Sequence, residues 1–179
     1  MAGLNIPTSR AASLVLANEE VTRDPLYNGV IKKEKAAIVL RVAESFLRFG
    51  SFQVCNKGAQ MDTGNSLKNR EILKPLADCL ITNFYKQISE ENGDVYEQMF
   101  EKIVHDSAEL VAHWQAVGFV HGVLNTDNMS MVRSTIDYGP FGFIDYFSKD
   151  YLSNATDDYE RYSYRRQPSI IKWNLNRLA

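Results

Sequence analysis

Two cysteines in 179 residues, Cys55 and Cys79, stand far apart and lack the paired spacing of a zinc or redox motif. Buried free thiols in a reducing, intracellular compartment are expected. No stretch reaches the roughly 18 apolar residues that a membrane span requires. The first residues carry neither a secretory apolar run nor an Arg- and Ser-rich transit segment, so no membrane partner is expected. Charge of one sign is also missing. Twenty Lys+Arg against 22 Asp+Glu leave a formal net charge of −2, with no electrostatic footprint for nucleic acid. There is no internal repeat and no low-complexity tract. What is present, 45% hydrophobic and 23% charged residues, suits one globular unit able to bury a core.

Apolar periodicity divides the chain. Ile6–Leu16 reads as a helix started by Pro7, with its apolar residues on one side. A strand follows near Glu19–Arg23. Ala36–Val42, a nearly continuous apolar run interrupted only by Arg41, reads as a buried strand. Asn56–Asn69, with Gly58, Gly64 and several Asn and Lys, reads as a long exposed loop before Ile72–Tyr85 resumes helical spacing. The clearest helix carries Met99, Ile103, Leu110, Trp114 and Val117 at steps of three, four and seven, and Gly118 ends it. Phe119–Phe147 is short-segmented and turn-rich. Pro168–Leu178 begins another helix.

Directly after the long helix comes His121-Gly122-Val123-Leu124-Asn125-Thr126-Asp127-Asn128, and nine residues beyond Asn128 stands Ile136-Asp137-Tyr138-Gly139. Alone, His-Gly and Asp-Asn are ordinary turn formers. In this order they match kinase-type phosphoryl transfer, in which a catalytic-loop amide and the carboxylate of an Asp-Phe-Gly-like turn hold Mg²⁺ against the phosphates. Asn128 and Asp137 are therefore the candidate metal ligands, hard oxygens of the kind Mg²⁺ takes. Two residues after the histidine, where small-molecule kinases of the His-Gly-Asp type place their catalytic Asp, this chain has Val123. Asp127 is the nearest carboxylate for acid/base work, with Asp145 a weaker second. Arg41 and Arg48 stand in apolar settings. They are expected either to face phosphate oxygens or to pair with an acid such as Glu44. His105 and His113 lack a third ligand and are expected to be ordinary surface or packing residues. Aromatic-rich Tyr159–Tyr164 is expected to pack against the catalytic loop rather than to contact a peptide.

Ile6-Pro7-Thr8-Ser9-Arg10-Ala11, Arg41-Val42-Ala43, Ser45–Phe52, Gly118–Ser130, Thr135–Phe143, Gln167-Pro168 and Lys172–Leu175 together resemble the selenoprotein O family, over nearly the whole chain. That resemblance implies a protein-kinase-like α+β fold that transfers AMP, not phosphate, from ATP to Ser, Thr or Tyr hydroxyls of proteins. The nucleotide would bind in a flipped orientation, which gives Val123 a rationale because attack is at the α-phosphate. Position by position, it implies Asp127 as catalytic base and Asn128 and Asp137 as ligands of Mg²⁺, or of Mn²⁺ in its place. It also implies Arg41 and Arg48 as the nucleotide-phosphate arginines, and a mitochondrial location if the source is eukaryotic.

No Gly-rich phosphate loop, no upstream strand lysine and no partner glutamate is present, so most of a kinase-like N-terminal lobe is expected to be missing. Residues 1–50 would then be its last strands and a hinge-like connection. Residues 51–179 would be a helical C-terminal lobe carrying both loops, incomplete at either end. The alternatives to adenylyl transfer are kinase-type phosphoryl transfer, which Val123 disfavours, and an inactive remnant or binding scaffold.

Overall fold

The computed structural model describes residues 1–25, 28–53, 55 and 66–179. It is an α+β arrangement with two small antiparallel sheets and four α-helices among the described residues.

The N-terminal third differs from the sequence expectation. Residues Arg10–Arg23 form a strand, β1, where a helix was expected over most of Ile6–Leu16, and the expected strand at Glu19–Arg23 is its far half. β1 pairs antiparallel with β2, Lys32–Val42, from Arg10↔Val42 to Arg23↔Lys32, with irregular register between Ala11 and Ser13 and between Leu16 and Glu20. Leu14-Val15-Leu16 meets Val39-Ile38-Ala37 across this ribbon. An apolar run fits a two-sided strand as well as a helix face, and cross-strand pairing decided between them. β2 is a strand as expected, but it is not buried: Leu14, Val15, Leu16, Ile38 and Leu40 are 57–70% exposed. Among the described residues, the two strands pair only with each other and leave these side chains exposed.

Beyond the ribbon the longer helices follow the periodicity. A short helix α1, Phe49–Gln53, was not expected and buries Phe49 and Phe52. Residues 56–65 of the expected Asn56–Asn69 loop lie outside the described residues. Positions 66–69, also not expected to be helical, form the first turn of helix α2, Ser66–Phe84. Helix α3, Val95–Ala116, starts on Asp94, whose side chain accepts from the backbone N–H of Tyr96 and Glu97, a side-chain N-cap. Its buried face is Met99, Ile103, Asp106, Ser107, Leu110, Val111 and Trp114. The helix gives way at Gly118 to β3, Phe119–Val120, which pairs antiparallel with β4, Gly142–Phe143. Helix α4, Gln167–Leu178, packs on α3 and α1. The core joins Phe49, Phe52, Leu80, Ile103, Trp114, Phe119, Leu124, Met131 and Ile171, so α1 through α4 close around the roots of the polar loops between β3 and β4.

Candidate active site

The β3–β4 pair brackets residues 121–141 and holds both ends of the polar segment together. Within it an antiparallel bridge joins Met129 to Thr135. That register sets Asn128 opposite Ile136, one residue from Asp137. The expected metal residues, nine apart in sequence, are thus brought to the same end of a small hairpin.

His121 welds the two loops. It is buried, its Nε2 donates to the Ile136 carbonyl at 2.8 Å, and its Nδ1 accepts from Val123 N–H at 3.4 Å. The carbonyl only accepts and the amide only donates, which fixes the neutral Nε2–H tautomer. Burial pushes the imidazole below its ordinary pKa of 6.5, in agreement with that tautomer. Gly122 follows at φ 85°, and a Cβ there would stand 2.4 Å from the Pro140 carbonyl oxygen. Both the left-handed backbone and the close approach demand glycine.

Asn128 is buried, and its Nδ2 donates to the Val123 carbonyl at 2.8 Å. With the amide nitrogen so used, Oδ1 is the atom left to accept or to ligate. Asp137 is exposed, adopts φ 59°, and its carboxylate takes no hydrogen bond or ion pair among the described residues. An aspartate in the left-handed region is tolerated but uncommon, and such conformations gather at functional sites. One amide oxygen and one free carboxylate fit a hard divalent cation that completes its shell with phosphate oxygens and water. Asp127 is also exposed, its carboxylate lying against Gly50 of α1.

The arginines are placed differently from expectation. Arg41 is exposed at the end of β2 rather than buried, and its guanidinium lies 5.4 Å from the centre of the Tyr138 ring. A cation over an aromatic face, not a salt bridge to Glu44, holds it beside the Asp137 loop. Tyr138 is held in turn by a hydroxyl–hydroxyl hydrogen bond with Thr8, whose Oγ1 also lies 3.1 Å from the Ser9 carbonyl oxygen and 3.3 Å from that of Thr135. Arg48 is half-buried, and its Nη1 donates to the Asp127 carbonyl at 2.8 Å. Asp145 falls away from the group. Ile144 N–H bonds the Gly118 carbonyl at 2.9 Å, so the ladder carries Asp145 toward the α3 end of the hairpin, opposite the loops. His105, Asp106 and Glu109 gather ligand atoms within 4.8 Å on α3, but Asp106 already pairs with Lys102 and Glu109 with Arg133 at 2.6 Å. Of the Tyr159–Tyr164 segment, Tyr164 is buried and Tyr159 is exposed.

A family model described as protein adenylyltransferase SelO matches residues 1–179. The chain belongs to the SelO family. It is 45% identical over 181 residues to protein adenylyltransferase SelO-1, mitochondrial, of Danio rerio, covering 98% of this chain and 26% of that relative. It is 44% identical over 183 residues to the human protein adenylyltransferase SelO, mitochondrial, covering 98% of this chain and 27% of the relative. It is also 44% identical over 177 residues to protein nucleotidyltransferase YdiU of Flavobacterium johnsoniae, covering 98% of this chain and 32% of the relative. The chain therefore spans about a quarter to a third of the length of these relatives.

Two residues of this SelO chain that loop spacing did not single out support the site from behind. Gln167, 1% exposed, accepts from His121 N–H at 3.0 Å and donates to the Phe119 carbonyl at 2.9 Å. Asn174 donates to the Leu124 carbonyl at 3.0 Å. Both lie on α4, 46 to 50 residues past the backbone groups they bond, so only their polar chemistry on an otherwise apolar helix face could have flagged them.

Proposed function

We propose that residues 121–139, with Arg41 and Arg48, form the nucleotide and metal site of a protein adenylyltransferase that moves AMP from ATP onto Ser, Thr or Tyr hydroxyls of proteins. The chain is read as mostly the C-terminal lobe of a kinase-like fold: α3 leads through a short strand into one polar loop, then a second. The β1–β2 ribbon would be the last strands of an N-terminal lobe, with residues 1–50 and 51–179 as the two parts.

The observation that supports this reading is the Met129–Thr135 bridge, whose register puts the backbone of Asn128 across from Ile136, next to Asp137, while Asn128 commits its Nδ2 to the Val123 carbonyl and, among the described residues, the carboxylates of Asp127 and Asp137 take no hydrogen bond or ion pair. Mg²⁺ bound there would neutralise phosphate charge and polarise the α-phosphorus. Asp127 accepts the proton of the acceptor hydroxyl as its oxygen bonds to the α-phosphorus, and pyrophosphate departs with the electrons of the broken P–O bond. Arg41, stacked on Tyr138, keeps its guanidinium edge for phosphate oxygens. Arg48 instead gives at least one N–H to the loop backbone. With Val123 between His121 and Asn128, no carboxylate stands at the usual kinase base position.

Labelled ATP separates the outcomes. Acceptor protein retaining label from α-³²P-ATP but not from γ-³²P-ATP is expected, and Asp127→Ala should lower kcat by about 10²–10⁴-fold. Label from γ-³²P-ATP would make the protein a kinase, and no transfer from either would make the segment a scaffold. The Danio rerio and human relatives are named mitochondrial and the bacterial one is not, so the compartment follows the source. No helix among the described residues is long and apolar enough to cross a membrane.

A further inference from the structure

We propose that Gly50 is a positioning residue for Asp127, its missing side chain being the space in which the carboxylate rests. The inference builds on the reading of Asp127 as the base. A Cβ added at Gly50 would stand 1.9 Å from Asp127 Oδ1 and 2.9 Å from Cγ, but 3.4 Å from Cα. The collision is with the carboxyl group, and the backbone beyond it is at ordinary contact distance.

Nothing in the backbone asks for glycine here. Gly50 lies inside α1 and is not among the residues of positive φ, so alanine suits its conformation. In a helix alanine is the better residue, and glycine is retained at a cost in helix propensity and unfolded-chain entropy. The neighbour it must accommodate is the reason.

The two segments cannot simply draw apart. Arg48 Nη1 bonds the Asp127 carbonyl at 2.8 Å, Phe49 N–H bonds the Met129 carbonyl at 2.9 Å, and Thr126 Oγ1 donates to Gln53 Oε1 at 2.6 Å. These tethers fall on both sides of Gly50 along α1, and on both sides of Asp127 along the loop. A methyl group at position 50 is therefore relieved by rotation of the Asp127 side chain, which takes the carboxylate off its acceptor hydroxyl while the fold stays. A misplacement of about 1 Å at a reacting group is enough to cost on the order of 10²-fold in rate.

The test compares wild type, Gly50→Ala, Asp127→Ala and the double variant in the full chain, by initial rates of AMP transfer from α-³²P-ATP and by thermal unfolding. Gly50→Ala should lose about 10²-fold in kcat with KM for ATP little changed and an unfolding midpoint equal to or above wild type. In the Asp127→Ala background the same substitution should have no further effect, because the two act through one carboxylate. Wild-type kcat in Gly50→Ala, or an equal loss added on top of Asp127→Ala, overturns the inference. Should wild type transfer no AMP, the functional reading fails instead, and a crystal structure of Gly50→Ala decides this point separately. A rotated Asp127 carboxylate with the three tethers kept supports it, and an unmoved carboxylate with α1 displaced refutes it.

Discussion

Asp137 and Asn128 show how a residue's role depends on what its other atoms are doing. Asn128 spends its Nδ2 on Val123, and Asp137 sits at φ 59° with a carboxylate unpaired among the described residues. Asparagine tolerates the left-handed region as aspartate does, whereas alanine does not. Asp137→Asn is therefore the clean substitution: AMP transfer should fall to background at any Mg²⁺ concentration while the unfolding midpoint stays within a degree or two of wild type. Near-wild-type turnover at saturating Mg²⁺ would remove Asp137 from the metal site. His121 makes a prediction of the opposite kind, on stability. Its folded-state pKa lies below the ordinary 6.5 because of burial, so below about pH 6.5 the unfolded chain binds a proton that the folded chain refuses. Protonation at Nδ1 would also set two donors face to face at Val123 N–H. Unfolding free energy measured in urea should hold above pH 7 and decline as pH falls through 6, and His121→Gln should flatten that slope. An unchanged slope in the variant would place the acid sensitivity elsewhere.

Among the elements, α3 was legible as a helix because its apolar stripe is long and regular and Gly118 closes it, whereas the Asp94 cap and the buried Asp106 and Ser107 were not read from the pattern. The β1–β2 ribbon was half legible. Its second strand reads as a strand, while the first half of its first, within Ile6–Leu16, reads as a helix, and only pairing with β2 corrects it. α4 was legible as a helix but not as a brace for the loops, since its contacts with them come from residues remote in sequence. Gln167→Leu measures that brace. It leaves His121 N–H and the Phe119 carbonyl buried without partners, which should destabilise by about 1–3 kcal/mol for each orphaned group. Urea denaturation of the variant should show a lower midpoint at unchanged slope, and AMP transfer should fall along with it as the His121 segment loosens. A midpoint equal to wild type would mean that water replaces the amide.

For the whole molecule the exposed ribbon is expected to govern association in solution. Apolar residues on both faces of a two-stranded sheet, with unpaired edges, favour association. Residues 1–179 expressed alone should show concentration-dependent association in sedimentation velocity. Replacing the cross-strand pair by charges of opposite sign, Val15→Lys with Ile38→Glu, should reduce it while keeping the ladder. A monodisperse wild-type monomer would show that the ribbon is not the adhesive surface. ATP binding by the same 179 residues should be weaker than micromolar by calorimetry, because on the proposed reading few groups among the described residues, chiefly Arg41, Asn128 and Asp137, would hold the phosphates and their metal, Arg48 giving its Nη1 to the Asp127 carbonyl. The sequence alone determined which residues are the candidates for chemistry, since Asp127, Asn128 and Asp137 lie in two short loops whose order and spacing are local properties of the chain. Tertiary structure alone decided the orientation of Asn128, the neutral tautomer of His121, the use of Arg48 as a tether and the close approach of the Asp127 carboxylate to Gly50. Each of these depends on an atom supplied by a distant segment, and no local pattern encodes which side chain will arrive there.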